Sequence, residues 1–224
     1  MSMTSPLPKP NCTLCPRLAM HRENHRIIYP DYFNAPVPCF GDPNAKLLIV
    51  GQAPGWNGAN RTGRPFTGDK SGELLYGALR EAGFATGNYG GHKDDGVELK
   101  DCMVTNAVRC APNKDEKHTD AHELESSEII QCRQFLKARI EEQKNNGLKA
   151  IIALGLSAYS SVLMAQGLPE NNESMKKLSN TKKEFGGIVL YASYHPSPRT
   201  RQWMSQKQFI DQFATIKKDL LIAE

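Results

Sequence analysis

The stretch KLLIVGQAPG, residues 46–55, runs from a short apolar segment straight into a turn rich in glycine and proline. An apolar run this short and this continuous suits a strand buried on both faces of a parallel sheet, not the alternation of a half-exposed strand. Three further runs have the same character: CMVTNAV (102–108), AIIALG (150–155) and GIVLYASY (187–194). Apolar residues at helical spacing lie between and after them, in SGELLYGALREAGF (71–84) and over about 121–144, 157–166 and 205–221. Strand alternating with helix predicts an α/β fold. The expected form is a three-layer α/β/α domain covering residues 1–224, with a central four-stranded parallel sheet and right-handed crossovers. The polar segments 86–98 and 169–184 read as the least structured parts of the chain.

The totals agree with one compact domain, since 224 residues at 39% hydrophobic content can bury a full core. A net charge of +4 is compatible with a nucleic-acid partner without requiring one. No apolar run is long enough to span a bilayer, and MSMTSPLPKPNC has no apolar signal core. The expectation is a cytoplasmic monomer with no membrane partner. In that compartment six cysteines argue against a disulfide framework, and for metal or cluster ligation or plain burial.

In open parallel sheets, ligands collect outside the carboxyl ends of the strands. The four strands run out into GQAPG, NAVRC, GLS and HPSPRT, so the site is expected there. One nearby segment, GRPFTGDKSG (63–72), imitates a phosphate-binding loop, with Gly63 and Gly68 correctly spaced and Lys70-Ser71 behind them. Two features exclude that reading. A phosphate loop follows its strand directly, whereas residues 51–62 intervene here. Asp69 also interrupts the motif, and a carboxylate inside a phosphate cradle repels the ligand. The segment instead suits a loop presenting an aromatic ring and a carboxylate at a pocket mouth. The plain alternative makes Phe66 a core residue and Asp69 a helix N-cap.

Taken together and in order, GQAPGWNGANRTGRPFTGDKSGELL, TNAVRC and YHPSP resemble the uracil-DNA glycosylase superfamily, and its iron–sulfur members more closely. The NRTGRPFTGD-x-SG run is similar to the family 5 (UDGb-type) enzymes; the corresponding loop of family 4 lacks the Asp. The resemblance covers nearly the whole chain, from CTLC to the helix after HPSP. It implies an enzyme that removes uracil from DNA, with hypoxanthine and xanthine as further candidate bases, and leaves an abasic site uncut. Uracil-containing DNA is the implied partner.

The residue types fit that chemistry, which takes the base out of the stack and reads its Watson–Crick edge. Asn106 would accept from uracil N3–H and donate to O4, Phe66 would stack on the ring, and His195 would donate to O2. Gly51, Gln52 and Ala53 would contribute backbone to the same pocket. Asp69 would position a water and face the cationic sugar of the transition state. Singly, each has a plainer reading: Asn106 as a strand terminator, His195 as a turn histidine, Gly51 as part of a tight turn. Arg61, Arg64, Ser197, Arg199 and Arg201 are the candidates for phosphate contacts. Some positions depart from the family pattern. Gln52 stands where family 5 usually has an apolar residue, and Gly55 where it often has Ala. Ala53 takes the place of the catalytic Asp of other superfamily members. Pro198-Arg199-Thr200-Arg201 follow His195-Pro196-Ser197, where amide residues are typical.

Cys12 and Cys15 form a lone CxxC, with Cys110 closing TNAVRC and Cys132 on the following helix. The resemblance implies that these four hold a [4Fe–4S] cluster, a ligation that all-thiolate donors suit. Spacing alone leaves a zinc site open. Cys39 and Cys102 are left over. Rival readings are a non-catalytic nucleic-acid-binding iron–sulfur protein, and a relative with altered chemistry at abasic sites.

Overall fold

A computed structural model describes residues 6–112, 124–179 and 181–222. The strands are β1 (Phe40–Gly41), β2 (Leu47–Gly51), β3 (Ala85–Thr86), β4 (Glu98–Leu99), β5 (Cys102–Asn106), β6 (Ala150–Leu154), β7 (Lys182–Phe185) and β8 (Ile188–Ser193). The helices are α1 (Pro16–Ile28), α2 (Ala59–Thr62), α3 (Lys70–Glu81), α4 (Ser126–Asn145), α5 (Leu156–Ala165), α6 (Met175–Leu178) and α7 (Gln206–Ile222). A 3-10 turn spans Pro198–Thr200. The expected start of α4 near residue 121 falls outside the described residues.

The main sheet has the order β1-β5-β2-β6-β8-β7. Its four central strands are parallel and are the four apolar runs of the sequence. Every residue of β2, β5 and β6 is buried, as continuous apolar runs require of strands covered on both faces. Successive side chains of β2 feed opposite layers. Leu47 and Ile49 pack with Leu75 and Leu79 of α3 and with Phe209 and Phe213 of α7. Leu48 and Val50 pack with Leu136 and Ile140 of α4 and with Val162 and Leu163 of α5. Each such fully buried aliphatic side chain contributes about 1.5–3 kcal/mol. This gives the three layers.

The structure adds to the expected sheet and departs from expectation at its edges. β1 and β7 extend the four parallel strands to six, both antiparallel to their neighbours. Neither carries an apolar run: β1 has two residues, and β7 reads KKEF with alternating exposure, features that keep an edge from pairing further. Segments 86–98 and 169–184 also hold more structure than their polarity suggests, namely the β3–β4 pair, α6 and part of β7. α1 is a further addition. It opens on Pro16, a residue suited to a first helical position, and buries Leu18, Ala19 and Arg22.

The segment between β3 and β4 is held from across the chain. Arg64 makes two 2.7 Å hydrogen bonds to the carboxylate of Asp95, and both side chains are buried. The guanidinium also lies 5.0 Å from the Phe40 ring and 5.1 Å from that of Tyr76, and its Nε donates to Thr67 Oγ1 at 2.7 Å. These bonds hold the Asp95 carboxyl well below the usual carboxylate range, with Arg64 the main cause. Because the folded value is depressed, the pair's contribution is present above the unfolded pKa of about 3.9 and is lost as pH falls below it. Asp95→Asn, which leaves Arg64 buried without a counter-ion, is expected to cost about 3–5 kcal/mol in urea unfolding at pH 7. The gap from the parent protein should narrow as pH is lowered below about 4. A small gap, or one independent of pH, would contradict this account.

Candidate active site

The carboxyl ends of β2 and β5 lie side by side, with Gly51 paired to Asn106 in register. The pairing continues past the strands, where Ala107 N–H donates to Gly51 O at 2.8 Å and Val108 N–H to Gln52 O at 2.9 Å. Gly51 is where the site closes up. A Cβ there would lie 2.4 Å from Asn106 Oδ1 and 2.6 Å from Phe66 Cζ, distances no side chain tolerates. The missing atom lets an amide and an aromatic ring meet over the strand end. Asn106 is 2% exposed, and its Oδ1 is buried without a hydrogen-bond partner among the described residues. A buried acceptor left unpaired costs about 1–3 kcal/mol, so this oxygen is poised for a donor from a ligand.

Phe66 sits beside it in a left-handed conformation, φ 51°, a strain of order 1–3 kcal/mol for a bulky residue. The His195 ring lies 5.8 Å from that of Phe66 at 31°. Burial pushes the His195 pKa below its ordinary value, while the nearby Asp69 pulls the other way. The imidazole is therefore neutral near pH 7 and offers one N–H donor. The Thr200 hydroxyl, placed on the carbonyl oxygens of His195 and Ser197, pins the turn that carries this ring.

The two oxygens of Asp69 have different surroundings. Oδ1 accepts from the amides of Ser71 and Gly72, each at 2.9 Å, and so caps α3. Oδ2 faces Gly55 and Gly58, in a cleft of about 250 Å³ lined by Pro54, Gly55, Trp56, Asn57, Gly58 and Pro112. The cap fixes the carboxylate's direction and leaves the second oxygen toward the cleft.

Of the residues expected to hold phosphates, Arg61, Arg199 and Arg201 are exposed and Ser197 is half-buried. Arg64 is a correction. It is 3% exposed, and both terminal nitrogens are committed to Asp95, so it is a support of the fold and not a phosphate contact. Gln52 is exposed, and Ala53 is half-buried against the cysteine group described below.

Several aromatic residues near the site were given no role by the sequence reading, although Trp56 and Tyr194 lie inside the quoted motifs. Trp56 packs at 3.8 Å from the His25 ring and near Tyr29 and Tyr32, roofing the cleft of Asp69 with residues of α1 and the loop after it. Trp203 is 59% exposed and stacks at 6.2 Å on Tyr194, the residue before His195. These are the only two tryptophans in the chain, and their rarity was the one available signal.

Cys12, Cys15, Cys110 and Cys132 line one small cavity with Leu18, Val108, Phe135 and Arg22. No two of them are bridged. Burial, followed by the neighbouring Cys132 and Cys110, pushes the Cys15 thiol up to about 12; burial lifts Cys110 to about 11 against the opposing charge of Arg22. Thiols crowded in this way ionise only if a cation takes the place of their protons. Among the described residues, no group of three or more His, Cys, Asp or Glu side chains is set to hold a single metal ion. Arg17 grips Glu128 with bonds of 2.8 and 2.7 Å, fastening α1 to the start of α4 beside the cavity. Cys39 lies apart, against Arg109 and Thr105, and Cys102 is buried in β5.

A family model described as the uracil DNA glycosylase superfamily matches residues 38–220. The chain is 36% identical over 192 residues to a type-5 uracil-DNA glycosylase of Pyrobaculum aerophilum, covering 84% of this chain and 79% of the relative. It is 34% identical over 214 residues to a type-5 uracil-DNA glycosylase of Thermus thermophilus, covering 92% and 93%. A type-4 uracil-DNA glycosylase of Sulfurisphaera tokodaii is 29% identical over 165 residues, covering 72% of this chain and 64% of that protein.

Proposed function

We propose that this chain, which belongs to the uracil-DNA glycosylase superfamily, is a single-domain, monomeric, cytoplasmic enzyme that hydrolyses the N-glycosidic bond of uracil in DNA. It leaves an abasic site and cuts no strand. The observation that carries the reading is the unpartnered Oδ1 of Asn106, buried beside the Phe66 ring where Gly51 leaves room for both. An extruded uracil supplies what that oxygen lacks, an N3–H donor, and the Asn106 amide group donates in turn to O4. Cytosine presents the opposite pattern and would leave a donor and an acceptor unpaired, at about 1–3 kcal/mol each. Phe66 provides a stacking face worth about 1–3 kcal/mol that does not depend on base identity. That tolerance is compatible with hypoxanthine or xanthine as further substrates.

The bond between C1′ and N1 breaks with its electron pair leaving on the base, and negative charge gathers at O2. Neutral His195 donates its N–H there. Asp69 Oδ2 orients a water toward C1′ and faces the positive charge on the sugar. As the water oxygen bonds to C1′ its proton passes to Asp69 Oδ2, and the departing uracil anion takes up a proton in turn, so that water is added across the broken bond. Arg61, Arg199, Arg201 and Ser197 hold the phosphates, with Trp203 offering an exposed ring to neighbouring bases. Cys12, Cys15, Cys110 and Cys132 would hold a [4Fe–4S] cluster. Four thiols share one cavity, and an all-thiolate donor set suits such a cluster. Its contribution is structural: with Ala53 packed against the same group, it ties the loop after β2 to the N-terminal segment.

The test of the activity is incubation with oligonucleotides carrying a single uracil, hypoxanthine or xanthine, followed by alkali cleavage. Cleavage at uracil is expected, and its absence would overturn the reading. Asp69→Asn retains the helix cap, since Asn caps as well as Asp. Its single-turnover rate should nonetheless fall on the order of 10²-fold, with DNA binding nearly intact. An unchanged rate would remove Asp69 from the chemistry.

For the cysteine centre, the purified protein should be brown and contain iron and sulfide. Cys110→Ala should lose both and unfold at lower temperature, while Cys39→Ser should keep both. Stoichiometric zinc without iron would overturn the cluster.

A further inference from the structure

The loop that carries Phe66 and Asp69 has an unusual backbone. Phe66 at φ 51° and Gly68 at φ 92° are both left-handed, with only Thr67 between them. No strand or helix contains these residues, so something else must hold the bend. Arg64 and Thr62 hold Thr67 itself. The peptide groups on either side of it are held by the hydroxyl of Tyr89, which accepts from Gly68 N–H at 2.9 Å and lies 3.3 Å from Phe66 O, to which it donates. One oxygen thus uses its lone pair and its proton on either side of Thr67, fixing the separation of the two peptide groups. Gly72 makes room for the arrangement, since a Cβ there would lie 1.9 Å from Phe66 O and 2.5 Å from Tyr89 Oη.

Tyr89 is itself well fixed. Its ring stacks on Tyr76 at 5.0 Å and 15°. Tyr76 in turn donates to Pro65 O at 2.7 Å, within the same loop. The segment carrying Tyr89 is anchored by Asp95, which accepts from Gly90 N–H at 2.9 Å and Val97 N–H at 3.1 Å while bound to Arg64. A rigid frame built from residues 76 to 97 therefore ends in one hydroxyl placed on the peptide next to Asp69.

We propose that Tyr89 is a positioning residue for the reaction: through Gly68 it aims the Asp69 carboxylate, and through Phe66 it holds the stacking ring in its strained conformation. The Tyr89 hydroxyl is committed to Gly68 N–H and Phe66 O, so the residue enters as a positioner and not as a reacting group. It acts by restricting where the next residue in the chain points, and displacements on the ångström scale at a reacting group cost up to 10²-fold in rate. The inference rests on the glycosylase reading of the site.

The test is Tyr89→Phe, which keeps the ring stack and removes the hydroxyl. Single-turnover excision of uracil should slow about 10- to 100-fold, with the dissociation constant for uracil-DNA within about twofold when set against the tenfold rate change of 1.36 kcal/mol. Amide hydrogen exchange at Gly68 should quicken. The part of its effect that passes through Asp69 should vanish in an Asp69→Asn background, so Tyr89→Phe should cost less rate there, the remainder being the part that passes through Phe66. A parent-like rate in Tyr89→Phe would overturn the proposal, whether or not its melting temperature fell. So would an equal loss in both backgrounds, or a loss explained wholly by weaker DNA binding. If the unaltered protein fails to excise uracil, the glycosylase reading fails; faster exchange at Gly68 would still report the latch.

Discussion

The arrangement of the site depends on an absence, the Cβ that Gly51 does not have. An oxygen of Asn106 and the edge of the Phe66 ring both occupy the space that atom would take. Because Gly51 and Asn106 are paired in register at the ends of β2 and β5, the sheet brings the amide to this point with no freedom of its own. The ring arrives differently, on a loop whose backbone is strained and must be held. One half of the recognition surface is thus inherited from the rigid centre of the fold and the other is imposed by a clamp. The acceptor between them, unpaired among the described residues, carries a free-energy cost that a donor on a bound base would offset.

Three supports converge on the loops around that point. The Arg64–Asp95 pair and the stacked rings of Tyr76 and Tyr89 fix the loop that ends in Asp69. The first turn of α3 takes one oxygen of that carboxylate and so leaves the other with a defined direction. On the far side, Ala53 in the loop after β2 packs with the four-cysteine group, itself bounded by α1, the segment after β5, and α4. These supports add buried charge, ring stacking and the packed cysteine side chains to the apolar packing that already takes in Phe66, Ala107 and Val108.

The central parallel strands were legible because burial on both faces leaves its mark on consecutive residues, as in LLIV and AIIAL. The edge strands were not, because β7 is built of residues chosen to face water. Asn106, His195, Phe66 and Asp69 could be proposed from their order along the chain and their place at strand exits. Arg64 was misjudged for a physical reason: its counter-ion lies 31 residues away, and nothing local distinguishes an arginine that meets phosphate from one that meets a buried carboxylate. Tyr89 was invisible on the same ground, since its two bonds reach back across more than twenty residues from a segment that reads as polar loop. The two readings of Asp69, cap and catalytic carboxylate, were rivals only in one dimension. In three, Oδ1 takes the cap and Oδ2 is left facing the cleft, where the proposed role requires it.

The central claim is that the orphaned oxygen of Asn106 reads the base. Its most direct test is a crystal structure of the protein with duplex DNA carrying a non-hydrolysable uracil nucleotide. The account predicts an extruded uracil with N3 within hydrogen-bond distance of Asn106 Oδ1, the ring stacked on Phe66, and Asp69 Oδ2 facing C1′ across a water. A uracil seated elsewhere, or bound with Asn106 Oδ1 still unpartnered, would contradict it.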